Sequence, residues 1–415
     1  MSAFQESIFT NIPTAPANVV LGLAQECNED TFKDKINLTI GAYRDEMGKP
    51  YVLPSVVEAE KILSEQNLGH EYLPQDGLKD FTSAAQVLLF GLDSRVLNNK
   101  SVYTIQGISG TGSLRLAGDF ISKFFSDRTC YIPAVTWENH QTIFTACGVK
   151  IAQYRYLDAT GCLLDFEVVL EDLKLCPVGS VILLHMCAHN PTGVDPSPEQ
   201  WRLLLQVVRD RQLFPLFDNA YQGFVTGSPD EDAYPVRLFA EAGVEMFVAC
   251  SFAKNFGLYG ERVGALHVVS SSSSSLLSIA SQLRLISRSL YSTCPLYGAR
   301  IVSLILNTPS LYLQWRSDCE MMANRLSLVR KHLYESLIAH NTPGTWTHVI
   351  QQRGMFSFTG LSPEVVRVLK TEYHIYLLET GRISLAGLNP SNIERFASCV
   401  CDAINNVNNA SRTNY

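Results

Sequence analysis

Seven short apolar runs alternate with longer amphipathic stretches between about residues 100 and 270, and this alternation is the feature that most constrains the fold. Each run has the length of a buried strand, and each intervening stretch has the periodicity of a helix. The runs are 101–106, 130–133, 150–154, 181–187, 213–218, 246–250 and 264–269. The pattern predicts βαβ units, and therefore an α/β fold with a mainly parallel, seven-stranded sheet flanked by helices.

The pattern changes after Pro309, which indicates a second, smaller domain. A long helical stretch at 315–337 is followed by short apolar runs and a C-terminal helix, the pattern of an α+β unit. With 415 residues, the chain is also longer than one core serves efficiently. We predict an N-terminal arm with part of the small domain at 1–45, a large domain at 46–310 and a small domain at 311–415 that contains the long connecting helix.

Charge and composition argue against several classes of partner. The net charge is −7 and no basic block is present, so neither nucleic acid nor an anionic membrane is expected as a partner. The N-terminus has no pattern of a signal or transit peptide, and we expect a cytoplasmic protein. The eleven cysteines form no Cys-x-x-Cys pair, which indicates reduced structural thiols and no metal site.

One lysine stands where a reactive amine is expected. Lys254 follows the apolar run 246–250 and lies between Ser251 and Arg262 in a Gly-rich segment. Partial desolvation lowers the pKa of an amine in such a place and makes it a nucleophile for carbonyl groups, with an imine as the product. A lysine beside glycines is more often a solvated loop residue, so the prediction depends on the other segments.

A second segment has the character of a phosphate cradle. Ser109, Gly110 and Thr111 precede an amphipathic stretch, so their amides are expected at a helix N-terminus, where free N–H groups bind phosphate. The Ser251 hydroxyl and Arg262 would supply further donors. The alternative is a simple turn at a Gly-rich helix start.

Three polar residues that follow strand candidates could bind a flat heterocycle. Asp218 ends the run 213–218, where a buried carboxylate needs a cation such as a protonated pyridine nitrogen. Tyr221 and Asn190 could both hydrogen-bond a ring oxygen. The competing interpretations are a helix cap for the aspartate and an Asx-turn before proline for the asparagine.

Two further residues complete the set. Trp137 could cover the ring, although most tryptophans are core residues, and Arg382 could bind a carboxylate, although such an arginine is more often in a surface ion pair. Pyridoxal phosphate is the cofactor that needs an imine-forming lysine, a carboxylate for its pyridinium and a phosphate cradle.

At these positions the chain resembles the aspartate aminotransferases, a family of class I aminotransferases with the pyridoxal-phosphate-dependent fold type I, over nearly its whole length. Within this family it resembles the animal cytosolic form more closely, and the resemblance is that of a divergent paralogue. The resemblance rests on motifs such as Ser251-Phe-Ala-Lys254-Asn-Phe-Gly-Leu-Tyr259. The other matching segments are 41–44, 70–74, 109–112, 136–140, 187–193, 217–224, 354–361 and 381–382.

The resemblance implies a role for each matching residue. Lys254 would hold the cofactor as an imine and move a proton as general base and acid, while Asp218 would keep the pyridine nitrogen protonated. Tyr221 and Asn190 would bind the ring oxygen, and Trp137 would stack on the ring. The phosphate-binding residues would be Ser109, Gly110, Thr111, Ser251 and Arg262, with Tyr72 reaching in from a partner subunit.

For the substrate, the resemblance implies two arginines. Arg382 would bind the α-carboxylate with help from backbone near Gly41, and Trp137 and Asn190 would also contact the substrate. Arg288 would cross a homodimer interface to bind the side-chain carboxylate. Tyr291-Ser-Thr-Cys-Pro295 and Ser384 depart from the family's usual residues, as do 39–40 and 379–380. The substrate shell has therefore changed more than the residues around the cofactor.

We therefore predict transamination between L-aspartate, or a similar dicarboxylic amino acid, and 2-oxoglutarate in a ping-pong cycle. Two alternatives stay open. One is racemisation of aspartate with the same cofactor, since the same lysine chemistry serves both outcomes. The other is a catalytically weak paralogue with a binding role, which the altered substrate shell would suit.

Overall fold

The computed structural model describes residues 7–413, so residues 1–6 of the predicted N-terminal arm lie outside the described part. The strands are β1 (Ile36–Asn37), β2 (Val102–Ile108), β3 (Thr129–Pro133), β4 (Lys150–Tyr154), β5 (Val181–His185), β6 (Phe214–Asn219), β7 (Met246–Ser251), β8 (Val263–Val269), β9 (Phe356–Phe358), β10 (Ile375–Tyr376) and β11 (Arg382–Ser384). The helices are α1 (Val19–Glu29), α2 (Pro54–Gln66), α3 (Lys79–Phe90), α4 (Arg95–Asn98), α5 (Ser109–Phe124), α6 (Asn139–Ala146), α7 (Phe166–Leu175), α8 (Pro198–Asp210), α9 (Pro229–Asp232), α10 (Tyr234–Glu241), α11 (Ser273–Tyr291), α12 (Tyr297–Asn307), α13 (Pro309–Ala339), α14 (Thr347–Gln351), α15 (Pro363–Tyr373) and α16 (Ile393–Thr413). A 3₁₀ turn covers Leu385–Gly387.

A seven-stranded sheet forms the centre of the molecule, in the order β2-β8-β7-β6-β5-β3-β4. Each of the seven predicted runs forms one of its strands, and all pairings are parallel except those of β8. The predicted α/β fold with a mainly parallel sheet is confirmed. Helices cover both faces, because strands such as β5 and β7 are buried along their whole length and need apolar partners on each side.

Two small sheets lie apart from the large one. In one of them β1 pairs in parallel with β10, and in the other β9 pairs antiparallel with β11. The β1–β10 pairing joins the N-terminal segment to the last part of the chain. The domain boundaries at 45 and 310 stay a prediction.

The long helix α13 begins six residues before the predicted start at 315. Pro309 occupies its first position, where a proline loses no hydrogen bond, and Thr308 before it is extended. Trp315 on this helix is fully buried and stacks on Phe256 with ring centroids 4.6 Å apart. Its Nε1 donates to the carbonyl oxygen of Asn255 at 2.8 Å, so α13 is tied to the segment that carries Lys254.

Among the helices of residues 7–413, none has both the length and the apolar character that crossing a membrane would need.

Candidate active site

A cavity of about 340 Å³ opens at the edge of the large sheet where β5, β6 and β7 end. Ligands of α/β sheets bind at this carboxyl edge, because several strand ends deliver polar side chains to one place there. Its lining residues are Asn18, Val20, Leu21, Gly41, Ser109, Gly110, Thr111, Trp137, Glu138, Asn139, Asn190, Asp218, Ala220, Tyr221, Ser251, Lys254, Arg262, Phe356 and Arg382.

Lys254 lies three residues beyond the end of β7, in a turn closed by the Gly257 amide, which donates to the Lys254 carbonyl oxygen at 3.0 Å. Burial lowers the pKa of the Lys254 amine; Asp218 opposes this shift and the charge of Arg262 adds to it. The amine also lies 5.3 Å from the centre of the Tyr221 ring. A lysine with a lowered pKa offers more neutral amine at a given pH, as reaction with a carbonyl requires.

Asp218 lies near the end of β6 and is the centre of a polar chain. Its Oδ2 accepts a hydrogen bond from His140 Nε2 at 3.0 Å, while Nδ1 of that histidine lies 2.9 Å from the Thr136 hydroxyl. The same hydroxyl lies 2.8 Å from His185 Nε2.

Burial raises the pKa of Asp218, but the hydrogen bond from His140 and the electrostatic effect of His140, His185 and Lys254 outweigh it, and the pKa lies below its usual value. A buried carboxylate is therefore kept charged where it faces the cavity. Such a group can hold a proton on a heterocyclic nitrogen.

The first turn of α5 carries the residues of the predicted phosphate cradle. Ser109, Gly110 and Thr111 line the cavity, and the hydroxyl oxygens of Ser109 and Ser251 lie 2.9 Å apart. The Ser109 amide donates to the Arg262 carbonyl oxygen at 3.1 Å, while the next amides of a first helical turn have no partner in a preceding turn. Gly264 allows this close approach, because a Cβ at that position would lie 2.5 Å from the Ser109 carbonyl carbon. Arg262 lines the same end, where its guanidinium donates to the Tyr259 carbonyl oxygen at 2.9 Å.

Tyr221, Asn190 and Trp137 border the middle of the cavity. Burial raises the pKa of the Tyr221 phenol, so its hydroxyl keeps its proton and can donate a hydrogen bond. The side-chain oxygen of Asn190 is buried without a partner among the described residues, which marks a polar atom free for a ligand. Trp137 is half-buried and meets His140 edge-on at 5.3 Å.

Arg382 opens β11 and lies at the opposite wall. Its guanidinium lies 4.4 Å from the centre of the Phe356 ring and donates to the carbonyl oxygen of Thr39 at 2.5 Å. Burial lowers the pKa of this guanidinium, and its Nε has no hydrogen-bond partner in residues 7–413. Ser384 on the same strand likewise has an unpartnered hydroxyl. A buried cation with a free donor is suited to a carboxylate.

Two residues predicted to bind ligands do not line the cavity. The Tyr72 ring is 84% exposed, and Arg288 near the end of α11 is also exposed. The family resemblance implied that Tyr72 and Arg288 bind in the site of a partner subunit, and in the single chain both side chains are exposed.

Several residues of the cavity carried no role in the sequence analysis. Asn18, Val20 and Leu21 enter from the N-terminal segment and α1, and no local pattern marks them. Other lining residues fall inside or beside segments that carried the family resemblance: Glu138, Asn139, Ala220 and Phe356. His140 is also in such a segment and does not line the cavity, but it contacts Asp218.

The donor set fits pyridoxal phosphate. The cavity presents an amine for the aldehyde, a charged carboxylate for the pyridine nitrogen, a phenol and an amide for the ring oxygen, and a helix start with two hydroxyls and a guanidinium for the phosphate. The side-chain oxygen of Asn190 and Nε of Arg382 are both buried there without a partner among the described residues, as expected of a cavity that takes a polar ligand.

Comparisons with known proteins point the same way. Residues 33–400 match the family model described as aminotransferase class I and II. The chain is 46% identical over 407 residues to aspartate aminotransferase 1 of Medicago sativa, covering 98% of this chain and 97% of that one. Relatives of similar identity are named for the cytoplasm, the mitochondrion or the chloroplast.

Two solved structures share the whole architecture. Cytoplasmic aspartate aminotransferase of Saccharomyces cerevisiae superposes with a TM-score of 0.94 at 42% identity, covering 96% of this chain and 98% of that one. An aromatic-amino-acid aminotransferase of Burkholderia pseudomallei, covalently bound to pyridoxal phosphate, gives a TM-score of 0.93 at 38% identity, covering 96% and 99%.

Proposed function

The chain belongs to the class I and II aminotransferases, and from that premise we propose that it exchanges amino groups between L-aspartate, or a similar dicarboxylic amino acid, and 2-oxoglutarate. The observation that carries the proposal is the pairing of a lysine of lowered pKa with a charged, buried carboxylate in one cavity. The protein is an enzyme and uses pyridoxal phosphate.

Pyridoxal phosphate, when bound, supplies an aldehyde carbon for the amino group and a ring that accepts electrons from the substrate Cα. Lys254 takes the proton from Cα and returns it, a task that suits an amine whose pKa is lowered by burial. Asp218 keeps the ring nitrogen protonated, and His140 fixes the orientation of that carboxylate. The first turn of α5, with Ser251 and Arg262, holds the phosphate in place.

The substrate is held by charge. Arg382 binds the α-carboxylate through the donor that the protein leaves free, and the Phe356 ring and the Thr39 carbonyl keep the guanidinium in position. We propose that the protein is a homodimer in which Arg288 and Tyr72 complete the site of the other subunit. Their outward direction in the single chain supports this arrangement, since neither residue can serve its own site.

The names of the relatives favour transamination over racemisation, since they are aspartate aminotransferases. Racemisation with two bases needs a second group that can protonate the opposite face of Cα. Tyr221 and Glu138 line the cavity beside Lys254, so the products of the reaction have to distinguish the two outcomes. We propose that the enzyme acts in the cytoplasm, as the yeast relative does.

The test is a coupled assay of the purified holoenzyme with L-aspartate and 2-oxoglutarate, in which the oxaloacetate formed is reduced with NADH. Turnover that is lost in Lys254→Ala and kept in the matched surface variant Lys61→Ala supports the proposal. Absence of turnover in the unaltered protein with saturating cofactor refutes it. Chiral chromatography of the remaining aspartate shows whether D-aspartate accumulates, which would favour racemisation.

A further inference from the structure

A second cavity, of about 580 Å³, lies against α13 and shares no lining residue with the active-site cavity. Its walls come from three places in the chain. These are the α13 face with Ser327, Arg330, Lys331 and Tyr334, the segment 350–354, and Phe224 with Val225. The volume is within the range of small-molecule sites.

The polar lining is mostly cationic. Arg330, Lys331 and Arg353 line the cavity, and Glu335 is its only carboxylate in the described part of the chain. Lys331 Nζ lies 3.8 Å from Glu335 Oε1, so that pair is at most a loose ion pair at the rim. Two of the three positive charges are therefore left without an acidic partner in the cavity.

Arg330 is the feature that points to a ligand. It is 5% exposed, and its guanidinium donates to the carbonyl oxygens of Val349 and Gly354, both at 3.0 Å, and of Phe356. None of these carbonyl partners carries a charge. Burial lowers the pKa of Arg330 to about 9. A buried cation without a counter-ion is costly, and an anion in the adjoining space would offset that cost.

Apolar side chains form the rest of the wall. Phe224, Leu326 and Ile350 line the same cavity as the three cations, so the cavity offers a surface for a carbon skeleton as well as for a charge. A bare inorganic ion would leave this wall in contact with water. We propose that the cavity is a binding site for a small organic anion, in which a carboxylate or phosphate group meets the three cations and an apolar body packs on Phe224, Leu326 and Ile350.

This proposal does not depend on the reaction of the active site, and a binding measurement tests it. Isothermal titration of the holoenzyme would use phenyl phosphate and phenylacetate as probes, with benzyl alcohol as the neutral control. We expect binding of at least one anionic probe and none of benzyl alcohol at the same concentration. Binding of only one probe would identify the charged group as phosphate or carboxylate.

Variants locate the site. Lys331→Gln with Arg353→Gln should weaken binding about tenfold or more, because two charge contacts are lost, and both side chains are exposed enough to be replaced without disturbing the core. The matched control Lys61→Gln with Arg202→Gln should bind as the unaltered protein does. Arg382→Gln distinguishes binding in this cavity from binding in the active site. If this variant loses binding while the double variant of Lys331 and Arg353 keeps it, the anion binds in the active site and the proposal is overturned. If neither probe binds to the unaltered protein, the proposal is also overturned.

Discussion

Replacing Gly264 by alanine should displace the residues predicted to bind the phosphate without replacing any of them. The added Cβ would lie 2.5 Å from the carbonyl carbon and oxygen of Ser109. Non-bonded carbon atoms prefer about 3.5–4.0 Å, so the start of α5 must move by about 1 Å. The neighbouring atoms belong to the backbone, and no side-chain rotation can relieve the contact.

The magnitude follows from hydrogen-bond geometry. A displacement of about 1 Å takes an N–H···O bond from about 2.9 Å to beyond its useful range. Loss of one such bond to a charged phosphate costs about 1.5–3 kcal/mol, which corresponds to a cofactor Kd about 10- to 150-fold higher. Overpacking should also lower the free energy of unfolding of the apoprotein by about 1–3 kcal/mol.

The assay is a titration of the apoprotein with pyridoxal phosphate, followed by visible absorption. Gly260→Ala is the matched control, because this glycine is exposed and its added Cβ would have no atom within 4 Å. A Gly264→Ala protein whose cofactor Kd stays within about threefold of the control would refute the reasoning.

Three further predictions concern the active site. Lys254→Ala should abolish transamination while the circular dichroism spectrum stays that of the unaltered protein; substantial residual turnover would contradict the assignment. Arg288→Asp should lower kcat/KM for L-aspartate about 100-fold more than kcat/KM for L-phenylalanine, since a carboxylate then meets a like charge; equal losses would remove its role in selectivity. The pKa of the Lys254 amine is lowered, so the rate at which the apoprotein takes up pyridoxal phosphate should rise with pH and reach half its maximum below pH 10.5, because the neutral amine reacts. Asp218→Asn should move that midpoint to lower pH, since Asp218 raises the pKa of Lys254. A stopped-flow midpoint at or above pH 10.5 in the unaltered protein would contradict the first expectation, and an unchanged or higher midpoint in Asp218→Asn would contradict the second.

Much of the fold could be predicted from the sequence, because buried parallel strands leave an unambiguous apolar pattern. The strand β4 has the predicted ends, whereas β5 ends at His185 instead of residue 187. The chain turns there for a reason that hydropathy does not encode: the Ala188 and His189 amides donate to the half-buried carboxylate of Asp195. Strand ends are set by such side-chain contacts as much as by apolar runs.

Part of the cavity could also be predicted from the sequence, because the order of strands and helices already implies where the strand ends meet. Lys254 and Asp218 follow strands that end at one edge of a sheet, so neighbourhood in space follows from topology. Val20 and Leu21 of α1 line the same cavity, although they lie more than 190 residues from Asp218 and Lys254 along the chain. No local sequence pattern predicts that contact. His140 lies in a matching segment, but its hydrogen bond to Asp218 depends on how α6 packs against α5 and β4, which the segment does not show.

The helix α13 contacts the two parts of the chain that carry Lys254 and Arg382, and it does so at two separate points. Trp315 is bonded to the carbonyl of Asn255, the neighbour of Lys254, and Arg330 is bonded to the carbonyls of Gly354 and Phe356, whose ring lies against Arg382. Trp315 and Arg330 are fifteen residues apart on α13, or about 22 Å along the helix axis. One residue inserted between them would shift Arg330 by about 1.5 Å along the helix and turn it by about 100° around the axis. The bonds of Trp315 and those of Arg330 could then not form together. The number of residues between Trp315 and Arg330 therefore helps to set the distance between Lys254 and Arg382. The helix does this although none of its residues lines the active-site cavity.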